Sequence, residues 1–155
     1  MNRTLLTGLA TVAAALCLPA LASDAQAAVP TANVIAVEAS GRPGAYDFSV
    51  RITSPDRGCQ QYADWWEVLS ERGELLYRRI LGHSHSNEQP FERSGGPVNI
   101  AATQVVWVRA HMHPGGYGGT LLRGSVQGGF RQAAPVPGFA AGVESLAPQP
   151  DSCAF

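Results

Sequence analysis

The four histidines of the chain fall into two pairs with the same spacing, one residue apart. His83 and His85 lie in GHSHSNE, and His111 and His113 lie in RAHMHP. Residues i and i+2 of a β-strand point to the same side, so each pair can present two imidazoles together. If the two strands are neighbours, all four rings can gather at one end of a sheet. Imidazole suits copper and zinc, so this pattern predicts a metal site with Glu88 as an additional ligand.

Two other roles are open for the same histidines. Histidines at strand ends also hydrogen-bond to loop carbonyls and carboxylates, and they can serve a catalytic or binding site without metal. In strand 104–113, alternation places Arg109 on the same face as His111 and His113, opposite an apolar core face. That guanidinium would repel a cation unless an acid such as Glu67 or Glu74 neutralises it.

The aromatic residues of the middle strands form a second candidate site, a binding patch. If the segment containing the adjacent tryptophans is a regular strand, one of them faces away from the core. A neighbouring loop or the C-terminal tail is the alternative cover for that ring. A tyrosine in GGYGG is expected at the tip of a flexible, ligand-contacting loop. The candidate binding residues are Trp65, Trp66, Tyr77, Trp107, Arg109 and Tyr117.

No catalytic signature stands out, so whether the protein is an enzyme is uncertain and the sequence leans against it. The acids of the middle region are scattered without a fixed spacing, and no G-x-S-x-G motif is present. Eleven basic and twelve acidic residues leave a formal net charge of −1 without a charged block. This composition argues against nucleic acid as a partner.

The first 27 residues have the pattern of a secretory signal peptide. Arg3 precedes an apolar run that begins at Leu5, and small residues follow that permit cleavage after Ala22 or Ala27. We therefore expect a periplasmic or secreted protein with no membrane span in the mature chain.

The cysteines agree with export. Cys17 would leave with the signal peptide, and Cys59 and Cys153 would remain. Two cysteines in an oxidising compartment most simply form a disulfide. This bridge would connect a body of residues 28–132 to a Pro-, Ala- and Gly-rich extended tail of residues 133–155.

Alternating apolar residues and turn signals predict an all-β fold. The segment 71–73 predicts a tight hairpin connection, and no window has convincing helical periodicity. The pattern favours an immunoglobulin-like β-sandwich of about seven strands, with a small β-barrel as the alternative. The predicted strands are 33–39, 46–52, 65–69, 75–81, 98–101, 104–113 and 120–126.

Two functional hypotheses follow. The first is an exported envelope module that binds a protein, peptide or glycan through the aromatic patch and the loops at the histidine end. The alternative is a periplasmic copper- or zinc-binding protein that uses the two His-x-His pairs.

Overall fold

The structure is a computed structural model that describes residues 28–154. The predicted signal peptide, both cleavage sites and Cys17 lie outside these residues. The described chain forms eight β-strands and one short 3-10 helix, Val143–Ser145. The strands are β1 (Asn33–Arg42), β2 (Ala45–Thr53), β3 (Tyr62–Ser70), β4 (Leu75–Ile80), β5 (Phe91–Val98), β6 (Val106–His113), β7 (Leu121–Ser125) and β8 (Gly129–Ala133).

The strands form two antiparallel sheets, which confirms the all-β sandwich. One sheet has the order β1-β2-β5, and the other has the order β4-β3-β6-β7-β8. Strands A, B and E of immunoglobulin domains likewise share a sheet, opposite C, F and G. Because the strands of residues 28–154 form two separate sheets, the alternative of a small closed barrel is wrong.

The core lies between the sheets and follows the alternation of the sequence. In β6, Val106, Val108, Ala110 and Met112 are all at most 3% exposed, as predicted for this face. β2 contributes four more buried side chains from the facing sheet. Burying each large apolar side chain stabilises the fold by about 1.5–3 kcal/mol. The residues from β2 are Tyr46, Phe48, Val50 and Ile52.

Two strands differ from the sequence-based expectation. The fifth strand was predicted at 98–101, but β5 ends at Val98 and runs through the Ser-Gly-Gly-Pro sequence that resembled a turn. β5 lies at the edge of its sheet, where a missing N–H at Pro97 is tolerated. Gly95 is required there because a Cβ would stand 2.5 Å from the Tyr77 hydroxyl oxygen. The eighth strand, β8, was missed because it is short, polar and exposed.

The tail after β8 covers the outer face of the five-stranded sheet. All nine residues of β3 are consequently buried, although only one of its faces contacts the core between the sheets. The other face of β6, which we expected to point outward, is covered as well: Arg109 is 7% exposed and His111 is 5% exposed. The tail thus forms a partial third layer.

A disulfide fastens the end of the tail to the sandwich. Cys59 and Cys153 are bonded, with their Cα atoms 5.6 Å apart and a sequence separation of 94. This confirms the predicted pairing. Beside it, the amide of Ala154 donates to the carbonyl of Gly82 at 2.7 Å, so the tail end also pairs with the segment after β4.

Within residues 28–154, no helix has the length and apolar character needed to cross a membrane.

Candidate binding site on the tail-covered face

Three charged side chains form a row across the covered face of the five-stranded sheet. Glu67 in β3 lies opposite Arg78 of β4 on one side and Arg109 of β6 on the other. Its Oε2 accepts from Arg78 Nη2 at 2.7 Å, and its Oε1 accepts from Arg109 Nε at 2.7 Å. The Glu67 and Arg78 side chains are fully buried, and Arg109 is 9% exposed. Burial without pairing would be very costly, so the row depends on all three members.

Arg78 also connects the sheet to the tail. Its Nη1 donates to the carbonyls of Leu146 and Pro148 at 2.6 and 3.0 Å. Its Nη2 donates to the carbonyl of Val143 at 2.8 Å. A side chain with five donors in a fixed fork can satisfy a carboxylate and several carbonyls at once. Arg78 therefore holds the tail over the sheet.

A second layer of contacts surrounds His111. The Trp65 indole stacks on its ring with centroids 3.7 Å apart and an angle of 5° between planes. His111 Nδ1 lies 2.6 Å from Asp64 Oδ1, and its Nε2 lies 3.2 Å from Glu144 Oε1 in the 3-10 helix. Both ring nitrogens of this histidine are thus engaged by carboxylates, one from the sheet and one from the tail.

Tyr117 points into the covered face and does not occupy an exposed loop tip as we had expected. Its ring covers the guanidinium of Arg109, with Cζ 3.6 Å from the ring centroid. Its hydroxyl accepts a hydrogen bond from Trp65 Nε1 at 3.1 Å. Burial, followed by the negative charge of Glu67, raises the pKa of the Tyr117 phenol above its usual range. The glycine-rich loop therefore packs its only large side chain inward.

A cleft opens beside this cluster, between the glycine-rich loop and the tail. Its volume is about 390 Å³, within the range of small ligand sites. Arg109 and Tyr117 line it together with Gly118 and Gly119. The tail side of the cleft consists of Pro135, Val136, Pro137, Gly138 and Phe139, and Ala110 and Leu121 complete it. The cleft combines an apolar lining with one arginine.

The structure separates the two histidine pairs. β3 lies between β4, which precedes His83, and β6, which carries His111. Within residues 28–154, β4 and β6 are therefore two strand spacings apart, about 10 Å. They are not the neighbouring strands that a site of four imidazoles would require. In this part of the chain, no group of three or more His, Cys, Asp or Glu side chains is placed to hold a metal ion. Metal binding by these histidines stays a prediction.

The first pair consists of one exposed and one buried ring. His83 and His85 have ring centroids 4.4 Å apart, and His85 stacks on Phe91 at 3.8 Å. Neither ring nitrogen of His85 has a hydrogen-bond partner among the described residues. Burial, followed by the positive charge of Arg93, lowers the pKa of His85 to about 4. The backbone amide of His85 donates to Asp56 Oδ2 at 2.8 Å, which fixes the segment to the sandwich.

The remaining predicted residues lie in three different places. Glu88 is exposed and forms an ion pair with Arg93 at 2.7 Å. Trp66 and Tyr77 lie on the core side, with ring centroids 5.6 Å apart. Trp107 packs against Phe139 of the tail at 5.1 Å. Of the predicted aromatic patch, Trp65 and Arg109 are connected through Tyr117 on the covered face, whereas Trp66 and Tyr77 contact each other on the core side.

Sequence reasoning missed several residues of this site. Arg78 was not assigned to a charged row with Glu67. Asp64 and Phe139 were not assigned a role. The hairpin signal at 71–73 alone would have placed Tyr77 opposite Glu67, because Arg78 reaches that position only through a shift of register between Val68 and Leu69. No local signal marks Phe139, because the tail contacts the sheet over a long sequence distance.

Comparisons with known proteins give one relative. The chain is 39% identical over 103 residues to a protein of Halomicrobium mukohataei described as "Putative lipoprotein". The aligned region covers 66% of this chain and 51% of the relative, so the chain spans about half of the relative's length. No family profile matches the chain, and no solved structure gives a significant match.

Proposed function

We propose that this protein is an exported, envelope-associated binding module whose ligand or partner occupies the cleft between the glycine-rich loop and the tail. The observation that carries the proposal is the cleft itself. It is lined on one side by the buried Arg109 and the half-buried Tyr117, which contact each other, and on its other side by the Pro-rich segment 135–139. Small-ligand sites commonly combine an apolar lining with a few fixed polar groups.

Three observations support a location in the cell envelope. The N-terminal pattern is that of a secretory signal. The Cys59–Cys153 disulfide suits an oxidising compartment. The relative from Halomicrobium is named as a lipoprotein, a class of protein attached to the outer side of a membrane. Fractionation of cells that produce the full chain, with detection of its mature mass, tests the location.

Rigid support of the cleft favours binding over a purely structural role. Arg109 is fixed by Glu67 through Nε and by the Tyr117 ring over its face. Tyr117 is in turn fixed by the Trp65 indole. A polar group that is held in place before binding loses little conformational freedom when a ligand arrives.

A panel of short peptides, cell-wall-type glycans and small organic acids tests the binding role by thermal shift. Val136→Trp should obstruct the cleft, because Val136 lines it and is 72% exposed. Leu146→Trp is the matched control, because Leu146 is also an exposed tail residue and does not line the cleft. We expect at least one probe to stabilise the parent and the control but not Val136→Trp. Equal shifts in both variants, or no shift with any probe, would refute the proposal.

The metal-binding alternative rests on His83 and His85, whose rings are 4.4 Å apart. Among residues 28–154 they belong to no group of three or more potential ligands, so a copper or zinc site here would take further ligands from elsewhere, such as solvent or a second molecule. The other pair is less available, because His111 is held by Asp64 and Glu144. Elemental analysis of the purified protein, beside a His83→Ala, His85→Ala variant, tests this alternative. Metal in the parent and none in the variant would support it, and metal-free parent protein would remove it.

A further inference from the structure

The charge balance beside the cleft is positive. Glu67 is shared by two guanidinium groups, those of Arg78 and Arg109, so the row carries one uncompensated positive charge. Arg78 directs its remaining donors to tail carbonyls. None of the residues that line the cleft is acidic. The row by itself is therefore net positive, and the other carboxylates of this face, those of Asp64 and Glu144, contact His111 and do not line the cleft.

Arg109 also has an unused donor. Its Nε donates to Glu67, but its Nη2 is buried and has no hydrogen-bond partner among the described residues. A buried charged donor without an acceptor is unfavourable, and in native proteins such a group commonly marks a missing partner. The Tyr117 ring covers the face of the guanidinium, so an additional acceptor must approach the edge of the fork.

The rest of the lining is apolar and small in extent. Leu121, Pro135, Val136, Pro137 and Phe139 supply hydrocarbon surface around the arginine. The volume of about 390 Å³ is near the lower end of the usual range of ligand sites. A small ligand that matches this lining places one anionic group at the arginine and one apolar group against the surrounding hydrocarbon surface.

We propose that the cleft recognises a carboxylate that carries an apolar side group, with the carboxylate accepting from the terminal nitrogens of Arg109. This inference rests on the proposed binding role of the cleft and names its ligand class. A planar carboxylate matches the edge of a guanidinium fork, and it balances a single excess charge. A free hydrophobic acid and the C-terminal residue of a peptide share this chemistry.

The test compares N-acetyl-phenylalanine with its primary amide by isothermal titration calorimetry on the mature, disulfide-bonded protein. The amide has nearly the same shape and lacks the charge. We expect the acid to bind at least about tenfold more tightly, as is typical when a charge-assisted hydrogen bond is lost. An acetylated tripeptide that ends in phenylalanine distinguishes the two sources: tighter binding than the single residue indicates a peptide terminus, and equal binding indicates a free acid.

Two variants locate the effect. Val136→Asp places a negative charge at the cleft and should weaken the acid several-fold while leaving the amide unchanged, and Val136→Asn is the neutral control. Arg109→Lys keeps a positive charge beside Glu67 but loses the fork, and it should reduce the preference for acid over amide. Circular dichroism verifies that each variant is folded. If Arg109→Lys does not fold, Val136→Asp still tests the proposal.

The outcomes separate this inference from the proposed function. Two outcomes overturn the carboxylate assignment and leave the binding role intact. In the first, acid and amide bind equally. In the second, neither binds, while another probe of the panel binds the parent but not Val136→Trp. If Val136→Trp affects no probe at all, both proposals fail.

Discussion

At the scale of single residues, the protein depends on ionisable side chains that are buried with their partners. Glu67 accepts from two arginines that lie opposite it in the neighbouring strands, and His111 contacts two carboxylates. His85 differs from these, because it is buried and neither of its ring nitrogens has a hydrogen-bond partner within residues 28–154. These residues respond differently to substitution and to pH.

Replacing Glu67 by glutamine should destabilise the protein strongly. Two buried guanidiniums would lose the carboxylate that they share, and breaking a buried ion pair by removing one partner costs about 3–5 kcal/mol. Glu71→Gln is the control, because Glu71 pairs with Arg123 at the surface, where such pairs contribute about 0–1 kcal/mol. Urea denaturation of both variants measures the difference. Similar losses in the two variants would contradict the importance of the buried row.

His85 should make the protein less stable in mild acid. Its pKa in the folded state is about 4, below the usual value of 6.5, because burial disfavours the charged ring. Between pH 6.5 and 4 the unfolded chain therefore binds a proton that the folded chain does not, and stability is lost as the pH falls through this window. The contribution is on the order of 1–3 kcal/mol.

A pair of variants isolates this effect from the titration of the carboxylates. His85→Phe keeps an aromatic ring next to Phe91 and should lose less stability than the parent between pH 6.5 and 4. His113→Gln, at an exposed position, should follow the parent. The measurement is the free energy of unfolding in urea across that range. Parallel curves for the parent and His85→Phe would argue against a neutral, buried His85.

At the scale of structural elements, the tail covers the larger sheet, which the sequence offered as one of two alternatives for the outward-facing tryptophan. Its contacts with the sheet run through Arg78, through the contact of His111 Nε2 with the Glu144 carboxylate, and through Phe139 packed on Trp107. The tail converts an ordinary solvent face of β3 and β6 into a second buried layer. It also forms one wall of the proposed site, so the position of the tail decides whether the cleft exists.

Arg78→Lys should loosen the tail while leaving the sandwich folded. A lysine can still pair with Glu67, but it cannot donate to the carbonyls of Val143, Leu146 and Pro148 at the same time. We expect faster hydrogen exchange of the amides in residues 143–149. Arg79→Lys is a control on the adjacent residue, whose side chain is exposed. If the tail exchanges equally in both variants, another contact holds it.

At the scale of the whole molecule, the disulfide closes a loop that includes most of the mature domain. Cys59 and Cys153 are separated by 94 residues, and a loop of that length restricts the unfolded chain by about 4–5 kcal/mol in the chain-entropy description. Cys153→Ser should lower the free energy of unfolding by up to this amount. The double variant Cys59→Ser, Cys153→Ser should behave like the single one.

Chemical denaturation of the oxidised protein, the reduced protein and the serine variants measures the effect of the bridge. The reduced parent should match the serine variants, because all of them lack the same constraint. A reduced protein as stable as the oxidised one would mean that the contacts of Arg78 and His111 already hold the tail without the bridge.

The local sequence pattern was sufficient to predict the features that depend on the alternation of side chains along a strand. Val106, Val108, Ala110 and Met112 form the predicted core face because a buried sheet face requires apolar residues at every second position. The same alternation placed Trp65 and Trp66 on opposite faces. The two remaining cysteines allowed only one pairing, and the carboxylate of Glu67 was one of two partners predicted for Arg109.

Beyond the predicted β3–β4 hairpin, only the tertiary structure decided which strands are neighbours and which of the possible covers lies on the outer face of the larger sheet. Placement of β3 between β4 and β6 separates the histidine pairs and joins Arg78, Glu67 and Arg109 into one row. Such neighbours are determined by packing among segments far apart in sequence, which a local pattern does not contain. The cleft arises in the same way, since a loop and a tail with no common motif meet over a single arginine.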